Sequence, residues 1–127
     1  YEALAQAIAA GWVASCHDCS DGGLGVALAE TAFAGDLGME VDLGRVPASG
    51  VARDDFLLFS ESASRFVVTI HPEDKMAFET CLQRNVLAEV GKVTAGKEFK
   101  VHGLKERDVV LANLLDLKEA WKRPLRF

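Results

Sequence analysis

The sequence predicts an α+β fold in which helices flank a mixed β-sheet in layers. Apolar residues recur at helical spacing in stretches such as Gly23–Ala34, whereas Met39–Leu43 and Phe66–Ile70 show the alternation or β-branching typical of strands. Two further predicted strands lie close together near the end of the chain, which favours a mixed sheet over a purely parallel one. With 127 residues, half of them apolar, the chain is expected to form one domain with its own core.

In the first half of the chain, a helix is predicted over Tyr1–Ala10 and is closed by a glycine. A short apolar strand follows over Trp12–Cys16. The next helix, Gly23–Ala34, carries apolar residues on nearly every side and a single charged residue, Glu30, so we expect it to be buried on most faces. Met39–Leu43 alternates apolar and acidic residues, which predicts a half-buried strand.

The second half is predicted to contain a short helix, a strand and a helix opened by proline, in the order Asp54–Phe59, Phe66–Ile70 and Pro72 onward. Val86–Val93 and Glu98–Val101 read as two strands of a hairpin around a turn at residues 94–97. The last helix is predicted over Val109–Lys122, where apolar residues recur at helical spacing until a proline stops it.

Composition excludes several classes of function. The net charge of -5 argues against a nucleic-acid surface, and no apolar run approaches the ~20 residues of a membrane span. Three cysteines, an odd number without a secretory signal, indicate reduced thiols in a cytoplasmic protein. The chain opens inside a predicted helix without an initiator methionine, so we expect it to be a piece of a longer protein. A small basic cluster suits the end of the last helix: Lys118, Lys122, Arg123 and Arg126.

The loop Ser20-Asp21-Gly22-Gly23 joins a predicted strand to the N-terminus of the most apolar helix. Backbone N–H groups converge at such a junction, and glycine lets a ligand approach them closely, so the loop is a candidate anion site. It fits neither a Walker A loop nor a dinucleotide-binding fingerprint. Asp18 and Asp21 would repel a bare phosphate and suit Mg²⁺ or an amine better. The alternative is a plain helix cap, with Ser20 or Asp21 bonding the first-turn amides.

A second polar segment, Ser60–Arg65, lies between an apolar helix and an apolar strand. Its hydroxyls at Ser60 and Ser62, the Glu61 carboxylate and the Arg65 guanidinium could hold a hydroxylated or phosphorylated ligand. A simple turn closed by a Glu61–Arg65 ion pair is the alternative.

Cys16 and Cys19 have the C-x-x-C spacing of redox pairs and zinc sites. No second pair accompanies them, and His71 and His102 are not spaced as ligands, so structural thiols are favoured. No nucleophile elbow or catalytic triad is indicated, and the sequence offers no complete active site.

Five segments resemble one family in the same order over nearly the whole chain. They are CHDCSDGGLGVALAE (16–30), AFAGDLGMEVDL (32–43), LFSESASRFVVTI (58–70), VGKVT (90–94) and LKEAWKRPL (117–125). Together they resemble the C-terminal domain of the small-type phosphoribosylformylglycinamidine synthases, which belong to the AIR-synthase-related superfamily. The resemblance implies the AIR synthase C-terminal-domain fold and makes the chain the second such domain of an internally duplicated enzyme.

The resemblance also implies a reaction for the full-length enzyme. Formylglycinamide ribonucleotide, ATP and glutamine-derived ammonia give formylglycinamidine ribonucleotide, ADP, phosphate and glutamate in purine biosynthesis, with ATP and Mg²⁺ as cofactors. The implied partners are the other domains of the parent chain, a separate glutaminase subunit and a small bridging subunit. Apolar faces meant for missing domains would favour a homodimer of the isolated domain.

The family's site residues carry over only in part. In the second half of the enzyme the cleft implied by the resemblance is an auxiliary nucleotide or phosphate site, formed here by residues of the two polar segments: Ser20, Asp21, Gly22, Gly23, Ser60, Glu61, Ser62 and Arg65. This sequence reads SESASR where the catalytic half would carry SESQER, which puts direct substrate contact in doubt. The catalytic histidine and the main Mg²⁺ ligands lie upstream, so His17 is not expected to be a catalytic base.

Two alternatives stay open at this stage. The domain could be a non-catalytic nucleotide-binding or purely structural unit, or the C-terminal domain of another AIR-synthase superfamily enzyme. The SESASRF segment and the AWKRPL ending argue against the latter.

Overall fold

The computed structural model of the chain describes residues 1–125. The predicted α+β fold with a mixed sheet is confirmed. In chain order the elements are α1 (Glu2–Ala9), β1 (Ser15–Asp18), α2 (Gly23–Gly35), β2 (Gly38–Asp42), α3 (Asp54–Phe59), β3 (Phe66–Thr69), α4 (Lys75–Cys81), β4 (Gly91–Thr94), β5 (Glu98–His102), β6 (Asp108–Asn113) and α5 (Leu114–Lys122). Within residues 1–125 no helix combines the length and apolar character needed to cross a membrane.

Helix α2 lies at the centre of the larger core, as its apolar composition predicts. Ala27, Leu28 and Ala32 are each only 2% exposed. They pack with residues of α3, β2, β5 and the start of α5 in one cluster. The helix ends at Asp36, whose backbone adopts the left-handed conformation with φ 54°. Because α2 is apolar on most of its sides, neighbouring elements cover most of its surface.

The two-stranded sheet separates two cores. β1 and β3 pair in antiparallel fashion, with Cys16 opposite Val68 and His17 opposite Val67. Successive residues of a strand point to opposite faces. Val67 therefore joins the larger core, while Val68 joins a smaller cluster between α1 and α4 around Phe78.

The four-stranded sheet has the order β4-β2-β5-β6, and this corrects the predicted hairpin. β4 and β5 do not pair with each other. β2 lies between them, antiparallel to β4 and parallel to β5. Val41 of β2 and Val101 of β5, both almost fully buried, face each other across the parallel ladder. The prediction was wrong because closeness in sequence favours direct pairing, whereas the apolar β2 gains more burial as a central strand.

The turn at residues 94–97 fits over the start of β2. The Gly38 amide donates to the Gly96 carbonyl at 2.7 Å, and the Lys97 ammonium binds the Asp36 carboxylate at 2.7 Å. A Cβ on Gly38 would lie 2.8 Å from the Glu98 carbonyl oxygen and 2.9 Å from that of Gly96. The turn can therefore pass this close only because Gly38 has no side chain.

The last helix is shorter than predicted, because residues 108–113 form strand β6 instead of its first turns. β6 pairs with β5 in antiparallel fashion. Val109 and Val110 are β-branched and suit a strand. Asn113 caps α5, its side chain accepting from the Leu115 amide at 2.8 Å. The helical spacing holds only for the residues after the cap. The predicted helix was wrongly extended upstream over the cap and the strand before it.

Two predicted strands are shifted or shortened. β1 covers Ser15–Asp18 rather than Trp12–Cys16, because its partner β3 reaches only those residues. β4 begins at Gly91 rather than Val86, because β2 offers it four partners and then turns into a 3-10 helix at Leu43–Arg45. Arg126 of the predicted basic cluster lies outside the described residues.

In the four-stranded sheet, a row of charged side chains crosses the face that points away from the core. Lys92 of β4 lies 3.2 Å from the Glu40 carboxylate of β2. Glu40 in turn accepts from His102 Nε2 at 3.0 Å, and His102 Nδ1 lies 2.6 Å from the Asp108 carboxylate. The hydrogen bond to Glu40, aided by the charge of Asp108, raises the pKa of His102 above its usual range, although burial and Lys100 oppose the shift.

Substituting Gly38 by alanine is expected to destabilise the fold by about 1–3 kcal/mol, because the new methyl group meets the carbonyl oxygens of the turn over β2. Gly35 is the matched control, since a Cβ there has no atom within 4 Å. Urea unfolding should show G35A equal to or above the unsubstituted chain. Equal stabilities of G38A and G35A would contradict the tight turn.

His102 is expected to make stability depend on pH. Because its folded-state pKa is raised, it contributes stability below its unfolded-state value, and the contribution is lost as pH rises through the folded value. The melting temperature should therefore fall as pH rises from about 6 to 8, and this fall should be smaller in H102Q. An unchanged pH profile in H102Q would show that the Glu40 contact is too weak to matter.

Candidate functional site

Backbone hydrogen bonds fix the loop between β1 and α2. The Cys19 amide donates to the Arg65 carbonyl at 2.9 Å, continuing the pairing of β1 with β3. The Gly23 amide donates to the Ser20 carbonyl at 2.9 Å, closing a turn. Gly22 and Gly23 have φ values of 79° and 65°, a region that favours glycine. The loop is thus set by its own backbone and by the neighbouring strand.

The structure brings this loop into contact with the second polar segment. The Gly22 amide donates to Glu61 Oε1 at 2.9 Å. A Cβ on Gly23 would lie only 2.5 Å from the Ser60 carbonyl oxygen and 2.9 Å from that of Leu58. The C-terminal end of α3 therefore packs directly on the N-terminus of α2. Two segments that are far apart in sequence meet at one place.

Glu61 supplies the cap that was expected from Ser20 or Asp21. Gly22 is the N-cap residue of α2, and no side chain of the cap itself bonds the first turn. That part of the plain-cap interpretation was wrong, because the left-handed glycines turn the backbone so that Ser20 contributes its carbonyl instead. A carboxylate at the positive end of a helix is favourable. It satisfies an amide that helix geometry leaves without an intrahelical partner.

Arg65 folds back on its own segment. Its Nε donates to the Ser62 carbonyl at 3.2 Å, and its guanidinium also donates to the Ser60 carbonyl. Ser60 and Ser62 approach each other with their hydroxyls at 3.5 Å. The expected Glu61–Arg65 ion pair is not formed, because each partner bonds backbone instead. The segment is a closed turn with exposed hydroxyls.

Carboxylates dominate the charge around this junction. The two polar segments and the end of β1 contribute three exposed carboxylates, those of Asp18, Asp21 and Glu61, and one guanidinium, that of Arg65. Such a rim disfavours a bare phosphate and favours a ligand that brings its own cation. Within residues 1–125, no group of three or more His, Cys, Asp or Glu side chains is arranged to hold a metal ion. Oxygen ligands of the kind that Mg²⁺ prefers are present, but they do not form a metal cage.

The C-x-x-C pair lacks the features of reactive thiols. Cys16 and Cys19 are free, Cys16 exposed and Cys19 buried. Partial burial, with the nearby Asp18 charge as a further cause, raises the pKa of both thiols, although Arg65 opposes the shift at Cys19. A raised pKa lowers the thiolate fraction that redox chemistry needs. The geometry supports the structural interpretation.

One contact near the site was not predicted. His17 Nε2 lies 2.7 Å from Glu30 Oε2, and His17 Nδ1 lies 2.7 Å from the Asp18 carbonyl oxygen. Both ring nitrogens thus contact oxygen acceptors, and both contacts are hydrogen bonds when each nitrogen carries a proton. The available signal was Glu30 itself, the one charged residue in an otherwise apolar helix.

Comparisons with known proteins place the chain in a structural context. Residues 1–103 match the family described as AIR synthase related protein, C-terminal domain. Structures of Thermotoga maritima PurL, phosphoribosylformylglycinamidine synthase II, in complexes with ATP, ADP and FGAR are similar to this chain with a TM-score of 0.80 at 24% identity. The PurLQS structure from the same organism gives the same values. The likeness covers 91% of this chain and 20% of the PurL chain.

A protein with a different role has a similar structure. The hydrogenase maturation protein HypE matches with a TM-score of 0.74 at 15% identity, over 88% of this chain and 41% of its own. These likenesses establish the fold. The chain spans about a fifth of the PurL chain, so the activity of the whole enzyme does not follow from the fold alone.

Glu61 is expected to stabilise the fold through the Gly22 amide. E61A should lower the free energy of unfolding by about 0.5–1 kcal/mol, the usual effect of losing a helix cap. E61Q keeps an oxygen acceptor and should stay close to the unsubstituted chain. Urea unfolding of the three proteins measures this, and an E61A protein as stable as E61Q would show that the cap contributes nothing.

Proposed function

The chain belongs to the family of AIR synthase related proteins, C-terminal domain, and we propose that it is the second such domain of a small-type phosphoribosylformylglycinamidine synthase. The five resembling segments and the likeness to PurL over 91% of the chain support this assignment. The full-length enzyme would be an ATP-dependent ligase of purine biosynthesis. It would replace the amide oxygen of formylglycinamide ribonucleotide with ammonia, at the expense of ATP.

The proposed partners follow from the same assignment. The parent chain would receive ammonia from a separate glutaminase subunit, with a small bridging subunit between them, in the cytoplasm. The PurLQS structure of the Thermotoga relative supports an assembly of this type. The remaining domains of the parent chain would cover apolar side chains that this domain exposes, such as Phe56 and Phe59 of α3.

Within that enzyme, we assign the junction of α2 and α3 to an auxiliary nucleotide or phosphate cleft without catalytic residues. The contact between the Gly22 amide and Glu61 carries this proposal, because it joins the two predicted polar segments. The exposed Ser60 and Ser62 hydroxyls beside the N-terminus of α2 can bond phosphate oxygens.

The acidic rim decides the form of the ligand. Mg²⁺ bound to a nucleotide would neutralise the phosphate charge that Asp21 and Glu61 otherwise repel. Complexes of the Thermotoga relative with ATP and ADP make a magnesium nucleotide the first ligand to test. Ser20 and Arg65 would hold its phosphates by hydrogen bonds.

A purely structural role is the second candidate, and one observation favours it. Glu61 already bonds the Gly22 amide, and Arg65 already bonds two carbonyls, so the groups that would hold a phosphate have internal partners. Because HypE has a similar structure, a C-terminal domain of another enzyme of the superfamily is a further alternative.

Calorimetry with Mg-ATP, Mg-ADP and inorganic phosphate separates these roles. We expect the nucleotides to bind, and R65A to weaken binding about tenfold, the usual effect of losing a charge-assisted hydrogen bond. R53A is the matched control, because Arg53 pairs with Asp55 on α3. S20A should weaken nucleotide binding less than R65A does. Its control is S49A, because Ser49 is also an exposed serine. Absence of heat with all three ligands would leave only the structural role.

A further inference from the structure

Three segments of the chain meet at the carboxylate of Glu30. Its Oε2 lies 2.7 Å from His17 Nε2 of β1, and its Oε1 accepts from the Trp121 indole N–H of α5 at 2.6 Å. The side chain is 25% exposed. Each oxygen therefore has its own partner, one from β1 and the other from α5. These three residues lie in segments that carry the family resemblance, yet the proposed cleft uses none of them.

The partners of Glu30 belong to two different parts of the fold, the C-terminal helix and the strand before the candidate loop. Trp121 lies in the last turn of α5, where its ring also packs on Phe33 with centroids 5.8 Å apart. His17 lies in the strand that enters the candidate loop, and its Nδ1 contacts the Asp18 carbonyl oxygen, one residue before Cys19. A continuous chain of contacts thus runs from the C-terminal helix to the start of the loop.

We propose that Glu30 is a positioning residue, which couples the C-terminal helix to the candidate loop by orienting His17. Hydrogen bonds to a charged group are short and strong, and partial burial strengthens them further. When each ring nitrogen of His17 carries a proton, the two nitrogens donate to Glu30 and to the Asp18 carbonyl, and the ring has one orientation while Glu30 is held in place. Trp121 holds Glu30 by its second oxygen. Loss of the indole bond therefore frees the carboxylate, then the imidazole, and then the backbone at Asp18.

The coupling itself is a property of the ligand-free fold, and only its effect on ligand affinity rests on the proposed function. Breaking the contact at α5 should change the loop without touching it. Replacing a tryptophan that does not contact Glu30 should leave the loop unchanged. The chain offers a matched pair for this test, because it has two tryptophans and Trp12 packs in the smaller cluster between α1 and α4.

Nuclear magnetic resonance of the ligand-free chain tests the coupling. In W121F, the backbone amides of residues 18–22 and the ring nitrogens of His17 should shift, whereas W12F should leave them in place. In the W12F background Trp121 gives the single indole signal, which should move upfield in E30A. E30Q keeps an oxygen acceptor for the indole and should restore the signal. This rescue also covers the case in which E30A folds poorly.

Two results would overturn the proposal. The first is a W121F chain that is less stable but has unshifted amides at residues 18–22, since Trp121 would then contribute packing alone. The second is an indole signal that E30A leaves unmoved. Mg-ATP calorimetry on W121F then separates this proposal from the cleft. Coupling seen by resonance, together with an unsubstituted chain that binds no Mg-ATP, would uphold the role of Glu30 and reject the nucleotide cleft.

Discussion

The burial of α2 on most of its faces is the constraint on which the rest of the structure depends. The start of α2 and its one charged side chain are only partly accessible to water, so protein groups satisfy their polar atoms. Other segments must therefore reach it. Glu61 meets the Gly22 amide, and the carbonyls of α3 lie against Gly23, which has no side chain to keep them away. The candidate cleft and the Glu30 contacts thus have the same cause. In both, other segments supply hydrogen-bond partners to polar groups of α2, at its start and in its middle.

Local sequence was enough to predict the elements whose pattern is complete within themselves. α2 and α3 were found within one residue at each end, because apolar spacing, glycines and acidic first turns are local signals. Strand pairing was not predictable in this way. That β2 separates β4 from β5 depends on how much apolar surface each arrangement buries. The strand at Val109–Leu111 was missed although its β-branched residues and the Asn113 cap were visible, because helical spacing downstream was given more weight.

The candidate site was predictable in composition but not in its contacts. Both polar segments stand out in the sequence, and the structure places them side by side. The bond between Gly22 and Glu61 crosses 39 positions and follows only from the packing of α3 on α2. The family is confirmed by the match over residues 1–103, yet PurL and HypE have this fold in common. The layers of the fold therefore do not distinguish one such domain from another.

The insertion of β2 between β4 and β5 also governs the order in which the chain can fold. A hairpin of neighbouring strands closes early, since only a short loop has to be ordered. Here the two strands that share a turn are held apart by a strand about 50–60 positions upstream. β5 can pair early with β6, which follows it closely in sequence, but β4 has no partner in the sheet until β2 arrives, and that requires closing the long segment from Leu43 to Val90. The larger sheet is thus completed late, by the non-local pairs of β2, and this step should limit the folding rate of the domain more than its size would suggest.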